Sequence, residues 1–400
     1  FIHLFMKNNS YSLSYIRVLY AMWLVRTVLS YLLTYRKSLL IADQKEYIAS
    51  ITGLILNVVS YLAIILLVTW EQNYLLALGI GTVTEVVLNI WISWYVEQKY
   101  PFLRQRRKEK STSSLTKRIV RDLKSLFISR ISEKMLYCTD NLIISGFIGV
   151  GTVGRYANYC MITQAISNIL TILANTIQPT VGDYFTEKNR QRNYEILRQL
   201  TFGFFCIASV VSVGLFSLIT PFVRDIWLGP SYELGWGITV FCIVVLLVRI
   251  MGLPLSLVMG VTGLFEKEKN VGASSALLNL IVSLALVKPY GMAGVLLGTL
   301  LSYLLQILYR YIIYFRDFLE MPGEALRYAQ DIGEYLAVIA GEVLLMQKIV
   351  PLIYGAGGML LFCVCFLLCI AIPLLLDLVI FGRGWRLQSI VTMVKGMRKA

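Results

Sequence analysis

An apolar stretch between residues 118 and 159 is long enough to span a bilayer, yet it contains charged side chains. Charges at that depth are costly in hydrocarbon and normally face a protein interior or a water-filled cavity. Most of them recur at steps of three and four residues, which places them on one face of a helix. Such a face either forms a buried ion-pair network or lines a transport path. The residues concerned are Arg130, Glu133, Lys134, Tyr137 and Asn141, with Asp140 beside them.

Arginine inside a membrane span suits an anionic ligand. The planar guanidinium matches phosphate oxygens in bidentate geometry and stays charged in any environment. Arg26 and Arg249 lie within two other apolar runs. Together with Arg130 and Lys134 they would give an anionic headgroup several cationic contacts. Permanent pairing of these bases with nearby acids is the alternative interpretation. The acids that could neutralise the cations, or couple transport to an ion, are Glu85, Glu133 and Asp140.

Neutral polar side chains form further stripes along other spans. Amides and hydroxyls both donate and accept hydrogen bonds, which suits sugar hydroxyls. The same side chains commonly hydrogen-bond between packed helices, so lining and packing both remain open here. By contrast, Gly294 and Gly298 indicate close helix packing. One stripe comprises Gln164, Asn168, Thr171, Asn175 and Gln178, and an earlier one comprises Thr82, Glu85, Asn89 and Ser93.

The composition is that of a polytopic membrane protein. The 400 residues are 57% hydrophobic and 15% charged, with a mean hydropathy of +0.70. Ten of the 37 Lys and Arg residues lie in one stretch from Lys99 to Lys124, as in loops that set membrane topology. The net charge of +14 is therefore explained by topology and does not indicate a nucleic-acid partner. The seven cysteines all lie in apolar runs, and His3 is the one histidine. We therefore expect no metal site and no cofactor.

Hydropathy predicts an all-α polytopic membrane protein with about eleven spans. Each span is close to the ~20 residues that a helix needs to cross ~30 Å of hydrocarbon. Lys and Arg concentrate in alternate loops, so the positive-inside rule predicts a cytoplasmic C-terminus. The predicted spans cover residues 11–33, 48–69, 74–97, 121–148, 156–179, 199–222, 237–261, 270–287, 291–315, 333–353 and 358–381.

Several sequence blocks resemble one known family. Residues 35–48 (YRKSLLIADQKEYI) look like the cytoplasmic turn after the fourth helix of bacterial polysaccharide repeat-unit flippases. Residues 139–145 (TDNLIIS), then Gly149 and residues 154–159 (GRYANY), are similar to the seventh and eighth helices of that family. Lys99-Tyr100-Pro101 fits as well. These flippases are part of the multidrug/oligosaccharidyl-lipid/polysaccharide exporter superfamily.

The resemblance implies a fourteen-helix, MATE-like exporter fold, in which two six-helix bundles face a cavity and an extra helix pair follows. The eleven spans would be its helices four to fourteen, so an N-terminal truncation of three helices is expected. A weak repeat, Leu24-Val25-Arg26 and Leu247-Val248-Arg249, would fall on equivalent helices of the two bundles. The expected organisation is a partial N-terminal bundle at 1–98, a basic cytoplasmic linker at 99–120, a C-terminal bundle at 121–316, a cytoplasmic loop at 317–332, the extra helix pair at 333–382 and a basic cytoplasmic tail at 383–400.

The function implied by the resemblance is transport rather than catalysis. Such flippases move polyprenyl-diphosphate-linked oligosaccharide repeat units across the bacterial cytoplasmic membrane for capsule or other surface polysaccharide, by alternating access. The expected partners are lipid-linked oligosaccharide, membrane lipids, a polysaccharide polymerase and glycosyltransferases. The expected substrate-binding residues are Arg130, Lys134, Arg26, Arg249, Gln164, Asn168 and Asn175, and those for ion coupling or charge pairing are Glu85, Glu133 and Asp140.

Other classes of protein fit the sequence less well. A drug or cation antiporter of the same fold would need a more acidic cavity, and the basic residues inside the spans argue against it. A membrane glycosyltransferase, acyltransferase or polysaccharide polymerase would carry a catalytic His or Asp cluster in a sizeable loop. Here the outer loops are short and the only histidine is His3. A non-transporting scaffold would leave the charged stripe as a purely structural network.

Overall fold

A computed structural model describes residues 13–31, 34–43, 45–71, 74–101, 139–185, 189–262, 264–355 and 357–382. All regular secondary structure in these ranges is helical. Ten helical stretches among them are long and apolar enough to cross a membrane. The predicted all-α membrane fold is therefore confirmed. Most of the predicted span at 121–148, like the tail at 383–400, lies outside the described residues.

The first of two compact units contains the described residues up to 101. Its fourth helix packs against the other three. The buried apolar core is small and consists of Leu40, Ala49, Ile92 and Val96. Most apolar side chains of the third helix are instead exposed, as expected for a surface in contact with lipid. The helices are α1 (Leu13–Tyr31), α2 (Thr34–Ala42), α3 (Glu46–Glu71) and α4 (Tyr74–Lys99).

Two of the blocks that carry the family resemblance meet in this unit. The hydroxyl of Tyr100 donates a hydrogen bond to Oδ2 of Asp43 at 2.6 Å, and Lys45 forms an ion pair with the same oxygen. Both donors favour the ionised carboxylate, Lys45 more strongly, and they lower the pKa of Asp43. The contacts join the α2–α3 turn to the end of α4.

The second unit contains the described residues from 139 onward. Its first described residues, 139–147, form a helical segment. A single extensive core of buried apolar side chains runs through its helices. Two helices continue as short π-helical turns, Phe222–Trp227 and Tyr314–Leu319. The helices are α5 (Val150–Tyr184), α6 (Arg190–Pro221), α7 (Trp236–Val261), α8 (Phe265–Tyr290), α9 (Met292–Ile313), α10 (Pro322–Tyr354) and α11 (Met359–Phe381).

Helices α8 and α9 form a tight antiparallel hairpin. The single residue between them, Gly291, has φ 58° and ψ −134°, a conformation that a residue with a side chain adopts only with strain. A Cβ atom on Gly294 would collide with the backbone of Leu286, and one on Gly298 would collide with Ser283. The predicted close-packing role of this glycine pair is confirmed, since both glycines face the backbone of α8.

The structure corrects the predicted loop at 317–332. Helix α10 begins at Pro322, so only a short connection separates it from the π-helical turn that ends at Leu319. The first turns of α10 are amphipathic, and hydropathy alone therefore missed them. Arg198 of α6 holds them through a bidentate ion pair with Asp331, with Nε–Oδ2 at 2.6 Å and Nη2–Oδ1 at 3.0 Å.

Helices α6 and α10 run parallel to each other. Arg198 bonds Asp331 and Ser209 bonds Glu342, and in both pairs the partners are 133 residues apart in sequence. Farther on, the hydroxyl of Tyr354 donates to Oδ2 of Asp225 at 3.2 Å. Helix α11 packs against α6 and α10 and returns antiparallel to α10 after a short turn. The expected extra helix pair is thus bound along the length of α6.

Candidate transport cavity and charged contacts

A cavity of about 180 Å³ lies inside the C-terminal unit. Its walls come from the segment 139–147 and from α5, α7 and α9. On α5 the lining residues recur at three- and four-residue steps and so occupy one face of the helix. Four residues named from the sequence, Asp140, Asn141, Gln164 and Arg249, line this space, which places them at one site. The polar lining includes Asp140, Asn141, Thr163, Gln164, Arg249 and Thr299.

Arg249 provides positive charge at this cavity. It lies near the middle of α7 and is half-buried. Its Nη1 lies 3.5 Å from Oε1 of Gln164 on α5, a long hydrogen bond that a stronger acceptor could replace. A phosphate oxygen is such an acceptor, because hydrogen bonds between charged groups are shorter and stronger. Arg249 can therefore contact an anion while Gln164 contacts a neutral polar group.

Asp140 is almost fully buried, with 5% of its surface exposed. Its Oδ2 accepts a hydrogen bond from Oγ1 of Thr299 on α9 at 2.7 Å. Its Oδ1 has no hydrogen-bond partner among the residues that the structure describes. Burial of an ionised carboxyl without compensation is costly, so this group needs a proton, a cation or a cationic ligand.

A chain of buried polar groups continues from Asp140 into the α8–α9 hairpin. Nδ2 of Asn279 donates to Oγ1 of Thr299 at 2.9 Å. Oγ of Ser283 lies 3.5 Å from Oδ1 of Asn279 and 3.2 Å from the carbonyl oxygen of Val295. The sequence interpretation missed these residues. A signal was present, since Ser275, Asn279 and Ser283 recur every fourth residue in an otherwise apolar run.

The other predicted cavity residues fall elsewhere. Asn168 and Asn175 lie farther along α5, are exposed, and do not line this cavity. Their role in substrate binding stays a prediction. Arg130, Glu133 and Lys134 lie outside the described residues. In the described part of the chain, no three His, Cys, Asp or Glu side chains cluster as metal ligands.

In the N-terminal unit, Arg26 lies beside Glu85. Nη2 of Arg26 is 3.8 Å from Oε1 of Glu85, and both side chains are about one-third exposed. Gly81 on α4 leaves room for the guanidinium, because a Cβ there would lie 2.9 Å from Nη1 of Arg26. This geometry agrees with the charge-pairing interpretation of Glu85. An exposed pair at this distance is weak, so Arg26 can exchange its partner for a ligand.

The polar stripe of α4 joins this helix to α1 and α2. Nδ2 of Asn89 donates to the carbonyl oxygens of Leu29 and Ser30 at 3.3 and 3.2 Å, near the end of α1. Arg36 hydrogen-bonds Ser93 and lies 2.6 Å from Oε1 of Glu97. These carbonyls would otherwise lack a partner in hydrocarbon, where each unsatisfied group is costly. In this part of the stripe, helix packing accounts for the polar side chains.

The chain is similar to known proteins in sequence and in fold. Residues 1–185 match the model of a family described as "Polysaccharide biosynthesis protein". No curated protein matches the chain. Among solved structures, a lipid II flippase, MurJ, in an inward closed conformation has a similar fold, with a TM-score of 0.60 and 16% sequence identity. The match covers 88% of this chain and 71% of that chain.

The family match and the shared fold are separate observations on this chain. The first is a sequence match over residues 1–185, which include the blocks at 35–48, 99–101 and 139–159. The second compares helix positions over most of the chain. Both agree with the resemblance that the motifs predicted: part of the sequence matches a polysaccharide biosynthesis family, and the helices are arranged as in MurJ.

Proposed function

We propose that this protein is a flippase that moves polyprenyl-diphosphate-linked oligosaccharide across the bacterial cytoplasmic membrane for surface polysaccharide synthesis. The observation that carries the proposal is Arg249, a membrane-embedded guanidinium on a polar cavity, beside the amide of Gln164. The family match and the lipid-flippase fold support it. The alternating loop charges support a cytoplasmic C-terminus. Expected partners are membrane lipids, a polysaccharide polymerase and glycosyltransferases.

The size of the cavity restricts which part of the substrate it holds. At about 180 Å³ it is smaller than the ~300–1,000 Å³ typical of sites for drug-sized ligands. It therefore fits the diphosphate or one sugar, while the polyprenyl tail stays in lipid. Arg249 would bind diphosphate oxygens and Gln164 a sugar hydroxyl. No covalent bond is made or broken.

A second cationic contact is proposed in the N-terminal unit. Arg26 would bind a diphosphate oxygen in one state of the transport cycle, and Glu85 would neutralise it when substrate is absent. Arg130, Lys134, Asn168 and Asn175 remain proposed substrate contacts on sequence grounds. Alternating access then requires these groups to face the two sides of the membrane in turn.

Substitution of the arginines tests the proposal. Arg249→Ala and Arg26→Ala in the full-length protein should each slow the flipping of a fluorescent polyprenyl-diphosphate oligosaccharide in proteoliposomes by about 10- to 100-fold. That range corresponds to a loss of ~1.5–3 kcal/mol for a hydrogen bond to a charged group. Arg316→Ala is the matched control, because its side chain is 77% exposed, and it should flip substrate normally.

The outcomes separate this function from its competitors. If both variants flip substrate normally at normal expression, the diphosphate contact is wrong. Efflux of cationic drugs without flipping would favour an antiporter of the same fold. Formation of a glycosidic bond by the purified protein would favour a transferase or polymerase.

We further propose that Asp140 couples transport to a cation. The unpartnered Oδ1 and the buried chain through Thr299 and Asn279 form an oxygen-rich environment for Na⁺ or a proton. In Asp140→Asn, which preserves size and removes the charge, flipping should no longer respond to an imposed Na⁺ or proton gradient. Glu324→Gln is the control, because Glu324 pairs with exposed Arg327 near the start of α10. A full gradient response in Asp140→Asn would exclude this role.

A further inference from the structure

Two buried carboxyls lie near each other away from the cavity, where α6, α10 and α11 pack together. Glu342 of α10 and Asp377 of α11 are 3% and 4% exposed. Oγ of Ser209 on α6 donates to Oε2 of Glu342 at 2.5 Å, and the carboxyl of Asp377 lies near both groups. None of these three helices contributes to the cavity lining. The cluster is therefore separate from the proposed transport site.

Most oxygen atoms of this cluster have no donor. Among the described residues, Oε1 of Glu342 and both carboxyl oxygens of Asp377 lack a hydrogen-bond partner. The same is true of Oγ of Ser212, which lies one turn beyond Ser209 on α6 and is 1% exposed. Buried polar atoms are nearly always paired, so this concentration of unpaired oxygen atoms requires an explanation.

The surrounding side chains do not supply a positive charge. Within the described helices, Arg198 is bound to Asp331, 11 residues or about 16 Å along the α6 axis from Ser209. Lys348 of α10 is exposed. The thiol of Cys206, which interacts electrostatically with both carboxyls, carries no positive charge.

A group of aromatic rings closes one end of the cluster. The ring of Tyr335 stacks on that of Phe205 with centroids 4.5 Å apart, and Phe381, one turn beyond Asp377, contacts both rings. Phe202 completes this aromatic group. All four side chains are at most 2% exposed. They separate the carboxyls from the Arg198–Asp331 pair and exclude water from that side.

We infer that Glu342 and Asp377, with Ser209, form a second cation site that takes a small monovalent cation, H⁺ or Na⁺. Two ionised carboxylates in such surroundings would be strongly destabilising without a counterion. Unpaired carboxylate and hydroxyl oxygens are ligands for hard cations. A divalent ion would need about six to eight oxygen ligands, and the described residues offer no third acidic group here. Occupancy of this site stabilises the attachment of α10 and α11 to α6.

The test measures thermal unfolding of the purified full-length protein in detergent, in choline buffer and in Na⁺ buffer. In choline, the wild-type melting temperature should fall by a few degrees as the pH rises from acid through neutral, because over that range the folded state binds a proton that the unfolded state has lost. Restoration by Na⁺ identifies Na⁺ as a ligand. A fall that Na⁺ does not reverse identifies H⁺ alone.

The melting temperature of the double variant Glu342→Gln/Asp377→Asn should depend neither on pH in this range nor on Na⁺. Glu334→Gln, which removes an exposed carboxyl from the same helix, should respond like the wild type. The melting temperatures of all these proteins are also measured with the additional substitution Asp140→Asn, so that a cation bound in the cavity does not contribute. A wild type whose melting temperature is insensitive to pH and Na⁺, or a double variant that keeps the response, would overturn the inference.

A double variant that fails to fold would be replaced by Asp377→Asn alone, since that carboxyl has two unpaired oxygens. Infrared difference spectra of the wild type on changing pH or Na⁺ provide a second measurement. They should show a buried carboxyl that changes state, and Asp377→Asn should remove the signal. Absence of any carboxyl signal in the wild type counts against the site.

Discussion

At the scale of single residues, Gly81 provides the space in which the guanidinium of Arg26 lies. A Cβ atom at this position would be 2.9 Å from Nη1 and 3.1 Å from Cζ of Arg26. The arginine side chain is long and flexible, so it would move rather than strain the helix. The position of Arg26 beside Glu85 therefore depends on the absence of a side chain on α4.

Gly81→Ala should impair transport without destabilising the protein. The new methyl group displaces the guanidinium, whereas alanine gains roughly 0.5–1 kcal/mol over glycine in a helix interior. Flipping should fall toward the rate of Arg26→Ala, with an unchanged or slightly higher melting temperature. Gly79→Ala is the matched control on the same helix, because nothing lies within 4 Å of a Cβ there. Normal flipping by Gly81→Ala would show that the position of Arg26 is unimportant.

At the scale of helices, the contact of α8 with α9 determines where the polar chain to Asp140 can form. Gly298 allows the backbone of α8 to approach closely enough for Asn279 to reach Thr299. Ser302 of α9 adds a further contact through Oγ, which donates to the carbonyl oxygen of Ser275 at 2.9 Å. The hairpin thus supplies both the packing and the hydrogen bonds that hold the Thr299 hydroxyl against Asp140.

Gly298→Ala should destabilise the protein by about 1–3 kcal/mol, because a Cβ would meet backbone atoms of α8 that cannot move independently. The melting temperature in detergent reports this loss, and the cation dependence of flipping should weaken with it. Gly214→Ala in α6 is the control, since a Cβ there has open space, and it should be neutral or stabilising. Equal melting temperatures for the two variants would mean that α8 and α9 can separate at little cost.

At the scale of the whole molecule, the membrane spans were predictable and many of their contacts were not. Runs of about 20 apolar residues identify spans from hydropathy alone. Asp140, Gln164 and Arg249, selected as polar residues inside such runs, do line one cavity. The early turns of α10 were missed because they are amphipathic.

The remaining contacts could not be predicted because they depend on tertiary structure. A hydroxyl or amide on an apolar helix has the same spacing whether it packs, binds a ligand or contacts a carboxyl. Asn279 acquires its role only through the position of Thr299, and Glu342 through the position of Ser209. Both partners are on other helices.

The three cross-connections between α6 and α10 have a mechanical consequence. They occur at Arg198 and Ser209 of α6 and at Asp225 in the π-helical turn that continues α6, so they are spread along most of the paired helices. Two parallel helices connected near both ends and in the middle bend and slide past each other far less than two helices connected at one point. We therefore expect α6 and α10 to form one rigid unit. We expect the moving parts of a transport cycle to be other helices, with α10 and α11 staying fixed to α6.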